Sequence, residues 1–128
     1  MLYVYPAIFH KEDASYWVEF PDLEGCQTYG GSLAETMELA MEALGVYLAV
    51  RMDENLEIPN ASDIVKMNAA TDTDFISYVS ANPSKYRENS KAVKKTLTIP
   101  GWLNEEAEKR HVNFSAVLQE ALVKQLGI

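Results

Sequence analysis

The sequence predicts an α+β fold in two parts: a meander of three antiparallel strands, a long helix and a further strand, and then a separate strand–helix–helix unit. Three observations predict it. Alternating β-branched and aromatic residues fill the beginning of the chain. A capping signal, SLAE, opens the one long stretch of helical periodicity. Near the end, beyond a polar break, the lone alternating segment KKTLTIP has no neighbouring strand to pair with.

LYVYPAIF and SYWVEF, joined by the polar KEDAS, read as a hairpin, and CQTYG, after the turn PDLEG, reads as a third strand ended by Gly30 and Gly31. Pro6 cannot donate to a ladder and therefore belongs at an edge-facing position or a bulge. Ser32 starts a helix that runs to about Met52, with Leu33, Met37, Ala40, Leu44, Tyr47 and Leu48 as its buried stripe. Glu35, Glu38 and Glu42 fall on the opposite face, either as a solvated surface or as a docking site for a basic partner. Residues 53 to 63 form a loop, IVKM (64 to 67) a minor strand, NAATDTD (68 to 74) a turn and FISYVS (75 to 80) a strand. The helical crossover allows this last strand to lie parallel to an earlier one. NPSKYRENSKA, polar and aperiodic, reads as a linker, so the expected domains are 1–81 and 93–128 with a linker at 82–92.

Charge divides the chain at nearly the same place. Residues 1 to 85 hold 14 acidic and 4 basic side chains, net −10, whereas residues 86 to 128 hold 5 acidic and 7 basic, net +2. An acidic body repels nucleic acid and suits a basic protein partner, and a mildly basic end can approach phosphate. No apolar run is long enough to span a bilayer and no basic stretch precedes the apolar N-terminus, which together suggest a cytoplasmic protein. One cysteine, Cys26, excludes an intramolecular disulfide and agrees with a reducing compartment. The two histidines lie far from it in sequence, so no spacing resembles a zinc site, and neither metal nor cofactor is expected.

A single strand of about six residues leaves its amide and carbonyl groups without partners. KKTLTIP could extend the N-terminal sheet, but the linker before it and the helices GWLNEEAEKRH and NFSAVLQEALVKQLGI after it mark a separate unit too small to be stable alone. Antiparallel pairing with the same strand of a second chain solves both problems, and a homodimer is expected. Val93, Lys95, Leu97 and Ile99 then face the helices, while Lys94, Thr96 and Thr98 point outward, where a two-stranded ribbon fits the DNA major groove. Asn113 is a good N-cap, and the amides around Asn113, Phe114 and Ser115 offer an anion site for a DNA phosphate. Trp102, Leu103, Ala107, Val117, Leu118, Ala121, Leu122 and Leu126 are spaced as core.

Residues 93 to 127, with TLTIP as the strand, Pro100 opening one helix and NFSAVLQEAL forming the next, resemble a ribbon-helix-helix DNA-binding module. Residues 1 to 62, with YPAIFHKEDASYWVEFPDLEGCQTYG, then SLAETMELAMEALGVYL, then EIPNASD, resemble the HicB antitoxin domain. The resemblance implies a partial RNase H-like N-terminal domain that inactivates a small basic mRNA-cleaving toxin of HicA type, and a C-terminal module that represses the operon. By position, it implies that Lys94, Thr96 and Thr98 read bases and that Asn113, Phe114 and Ser115 hold phosphate; at Phe114 many such modules carry a basic residue, which shifts the load to backbone amides. Glu35, Glu38 and Glu42 are the candidate toxin contacts. The alternative is a stand-alone ribbon-helix-helix regulator with a ligand-sensing N-terminal domain, and an adjacent gene for a small basic protein separates the two.

An enzyme is not expected. Nuclease chemistry on an RNase H-like fold needs clustered carboxylates, one on the first strand, to hold two metal ions about 4 Å apart. LYVYPAIF has none, and Glu19, Glu38, Asp72 and Asp74 cannot easily rebuild the site without it. His10 reads as a solvated turn residue, Cys26 as a small buried side chain, and His111 as a partner for helix-terminal carbonyls.

Overall fold

The computed structural model describes residues 1–69 and 71–128. They form two compact units, Leu2–Ser90 and Lys91–Ile128, with Met1 grouped with the second.

In the first unit, β1 (Tyr3–Glu12) and β2 (Ser15–Glu19) form a hairpin closed by Asp13 and Ala14, with Glu12 opposite Ser15. Asp13 takes a left-handed φ of 54°, which the short polar Asp tolerates better than most residues. β3 (Gln27–Gly30) pairs with β2, and β4 (Phe75–Ala81) pairs antiparallel with β1, giving the order β3-β2-β1-β4. The expectation of a parallel final strand is therefore corrected. The chain leaves α1 at one end of the sheet, and β4 enters from the other. IVKM is likewise not a strand: Ile64–Lys66 make one 3-10 turn whose Asp63 cap accepts from the Val65 amide. The expected turn NAATDTD includes Ala70, which lies outside the described residues. Pro6 sits in the part of β1 paired with β4, ahead of Ile8, where pairing with β2 begins. Its missing N–H falls where β1 is bordered on one side only.

One helix, α1 (Leu33–Asp53), covers the sheet. Ser32 caps it, its Oγ accepting from the Glu35 amide at 3.2 Å. Ala40, Leu44 and Leu48 pack against Tyr5, Ala7, Phe9, Val18 and Val79 as one buried cluster. Each fully buried Leu contributes about 1.5–3 kcal/mol by leaving water. Leu33, expected in that stripe, is 45% exposed, because the turn at the cap projects it beyond the sheet. Thr36, Gly45 and Ala49 are buried instead. Thr36 donates to the Ser32 carbonyl at 2.7 Å and rests against Gly30, where a Cβ would come within 2.6 Å of its Oγ1. Strand end and helix start meet at a distance that only glycine permits.

Residues expected as a free linker are structured at their start. Pro83–Tyr86 form a second 3-10 turn, capped by Asn82, with Pro83 buried. The Tyr86 ring lies over Gly45, where an added Cβ would come within 2.4 Å of it. Arg87 Nε and the Glu88 amide both donate to the Asp53 carboxylate at 2.9 Å. This clasp holds the segment to the end of α1, and the unit boundary falls after Ser90.

The second unit contains α2 (Gly101–Lys109) and α3 (Phe114–Leu126). Residues 91 to 100 form no strand in the single chain, and no residue of Lys91–Ile128 is buried.

The hydrogen bonds from the Glu88 amide and Arg87 hold the Asp53 carboxyl below its ordinary value of 3.8. A depressed carboxyl stabilises the fold above its unfolded pKa and stops doing so as pH falls through the folded one. Replacing Asp53 with Asn is therefore expected to lower stability at pH 7, with the gap to wild type closing below about pH 3.8; urea unfolding of both proteins at pH 7 and pH 3 measures this.

Candidate functional site

In the second unit, α2 starts at Pro100 without a side-chain cap and ends where the His111 backbone N–H, rather than its ring, donates to the Glu108 carbonyl at 3.1 Å. His111 is left-handed there, with φ 54°. Asn113 caps α3, its Oδ1 accepting from the Ala116 amide at 3.1 Å. The amides of Phe114 and Ser115 are thus the first of a helix whose positive end is well formed.

A groove of about 480 Å³ runs along this unit, lined by Lys95, Leu97 and Ile99 from the segment before α2 and by Phe114, Val117 and Leu118 among others from the helices. Lys94, Thr96 and Thr98 do not line it. The alternation read from the sequence therefore divides the segment into an apolar side against the helices and a polar side away from them. Trp102 is 66% exposed, and Leu103, Val117, Leu122 and Leu126 are exposed with it. These residues, spaced as core, form no closed core in one copy. Phe114 lines the groove and carries no charged group.

In the first unit, α1 occupies one face of the sheet and projects Glu35, Glu38 and Glu42, all exposed, away from it. Alternation sends the other strand residues to the opposite face. There Trp17 lies between Tyr29 and His10 in register, and Glu19 lies between Gln27 and Ile8. His10 is not a solvated turn residue. Its Nδ1 lies 2.9 Å from Asp74 Oδ2, its Nε2 3.7 Å from Glu19 Oε1, and its ring stacks on Trp17 with centroids 3.9 Å apart. The sequence hid this because β1 extends to Glu12, three residues past the alternating run, and because Asp74 is 64 positions away.

A histidine between two carboxylates has the ingredients of acid–base chemistry, but Nε2 is buried and has no hydrogen-bond partner, so no substrate proton can reach it. Glu38 lies on the far side of the unit. Among the described residues, no group of three or more His, Cys, Asp or Glu is placed to hold a metal ion, and no helix is long and apolar enough to cross a membrane. Cys26 is buried, with Sγ 3.7 Å from the Ala43 carbonyl, and burial pushes its thiol up to about 11, far from reactive.

The family model for the HicB-like antitoxin of bacterial toxin-antitoxin systems matches residues 5–121. A chain in a toxin–antitoxin complex from Streptococcus pneumoniae is 33% identical, with a TM-score of 0.65 over 98% of this chain and 99% of that one. The antitoxin HicB of Burkholderia pseudomallei, 20% identical over 97% of this chain and 96% of its own, shares the fold with a TM-score of 0.55. A protein of Haemophilus phage HP1, named only as an uncharacterized 14.9 kDa product of the rep-hol intergenic region, is 30% identical over 101 residues, 78% of this chain and 75% of its own.

His10 is the partner of a carboxylate whose side chain is only 6% exposed. Replacing His10 with Ala is expected to leave Asp74 unpaired and to cost about 1–3 kcal/mol of unfolding free energy, read by urea denaturation.

Proposed function

Since the chain belongs to the HicB-like antitoxin family of bacterial toxin–antitoxin systems, we propose that it neutralises a HicA-type mRNA-cleaving toxin with its acidic unit and represses its own operon with a C-terminal unit completed by a second copy. The observation that carries the second half is the uncovered groove of residues 91 to 128. Its strand-like segment lacks hydrogen-bond partners, its apolar side chains lack cover, and both deficits have the same remedy. An identical segment laid antiparallel supplies the missing backbone bonds, and its two helices close the shared core. That arrangement is a ribbon-helix-helix dimer. It presents Lys94, Thr96 and Thr98 from both copies side by side, to donate to base edges in the major groove, while the amides of Phe114 and Ser115, ordered by the Asn113 cap, meet flanking phosphates.

The first unit, net −10 over residues 1 to 85, supplies the toxin-binding surface. The same charge keeps it off DNA, so the two activities divide between the units. It has two exposed acidic sides, the glutamates of α1 and the uncovered face of the sheet.

Changing Thr96 and Thr98 to Ala is expected to cost about 1–3 kcal/mol per lost base contact and to relax operator specificity while toxin binding stays intact; unchanged gel-shift affinity contradicts this readout. A chain ending at Ser90 retains its own core and the Asp53 clasp. It is expected to lose repression and keep toxin inhibition, and loss of both from a folded fragment contradicts the division of labour.

A further inference from the structure

One face of the sheet is covered by α1, whereas among the described residues the other carries no α-helix and only the 3-10 turn Ile64–Lys66 beside Tyr78, and the two exposed sides of this unit differ in chemistry. On the uncovered face, the strand residues include the carboxylates Glu12 and Glu19 and no lysine or arginine, as the register of β1, β2, β3 and β4 shows. Tyr29 is 77% exposed at the edge strand, directly across from Trp17. The Trp17 indole is stacked on His10, whose Nδ1 lies 2.9 Å from Asp74 Oδ2, and these contacts restrain it. Beside these two rings lies a depression of about 720 Å³, with Glu12 and Gln27 on its rim.

Part-exposed aromatics held in place next to carboxylates are the combination that binds an arginine or lysine; here Glu12 has no ionic partner among the described residues, and Glu19 lies 3.7 Å from His10 Nε2. The cation meets the ring face and the carboxylate together, and little side-chain entropy is lost because the rings are already held. Tryptophan, tyrosine and arginine are also the residues that concentrate binding energy at protein interfaces. The helix side offers Glu35, Glu38 and Glu42 without an aromatic residue among its exposed positions. Exposed charges alone contribute little to affinity.

We propose that the uncovered sheet face, centred on Trp17 and Tyr29 and bordered by Glu12 and Glu19, is the docking surface for the cationic protein partner, with one basic side chain of that partner stacked on the two rings and paired with the carboxylates. This rests on the toxin-neutralising reading above and decides which side of the acidic unit performs it. The glutamates of α1, on the opposite side, contribute long-range attraction rather than the contact itself.

The experiment compares three full-length proteins for binding to the small basic protein encoded by the adjacent gene, by titration calorimetry at two salt concentrations. They are wild type, Tyr29→Ala combined with Glu12→Gln, and the triple Glu35→Gln, Glu38→Gln, Glu42→Gln. Both Tyr29 and Glu12 are exposed, so the first variant keeps the fold, which thermal melting verifies; if it melts early, Tyr29→Ala alone takes its place. The sheet variant is expected to bind at least tenfold more weakly and the helix triple less than threefold, with wild-type affinity falling as salt rises. A helix triple that loses tenfold or more beside an unimpaired sheet variant overturns this docking site and leaves the toxin reading standing. Wild type that does not bind the neighbouring gene's product overturns both.

Discussion

A four-stranded sheet has two faces, and this unit supplies one helix to cover them. That constraint orders the rest of the structure. α1 buries Ala40, Leu44 and Leu48 against Tyr5, Phe9, Val18 and Val79, and everything that anchors the helix serves that contact: the Ser32 cap, the glycine at position 30 that lets Thr36 close on the strand end, and the Asp53 clasp at the other terminus. Among the described residues no α-helix of this unit covers the opposite face, where only the 3-10 turn at Ile64–Lys66 meets Tyr78. Its residues are stabilised by one another, through the Trp17–His10 stack and the His10–Asp74 bond, and part of that face remains exposed to water. An aromatic surface of this kind on an acidic body is well suited to a cationic protein.

The C-terminal unit has the same deficit in a stronger form. Two helices and an extended segment cannot enclose a core, and no residue from 91 to 128 is buried. Where the first unit leaves one face uncovered, the second leaves its whole interior open. In the proposed mechanism a second copy completes it through backbone pairing and apolar closure together, which makes dimerisation and DNA reading a single event. The first unit has a closed core of its own.

Much of the candidate site could be read in the sequence because it depends on local rules. Asn113 caps α3 and Ser32 caps α1 as their side chains dictate, and the alternation of residues 93 to 99 separates Lys95, Leu97 and Ile99 from Lys94, Thr96 and Thr98. The segment from Pro83 to Glu88 was not legible as part of the first unit. Polar and aperiodic, it reads as a linker, yet it is held by a ring over Gly45 and a carboxylate at Asp53, contacts between positions more than thirty residues apart.

The sequence by itself determined the hairpin, the third strand and the three α-helices, the Ser32 and Asn113 caps, most of the inward stripe of α1, and the separation of an acidic part from a basic one, because each follows from periodicity, side-chain length or charge within a few neighbouring residues. Tertiary structure alone decided that β4 runs antiparallel beside β1, that His10 lies between Asp74 and Glu19 rather than in solvent, and that Trp17 and Tyr29 remain on an uncovered face. Those outcomes depend on where a long connection returns the chain and on how many helices are available to cover a sheet. No local pattern encodes either quantity.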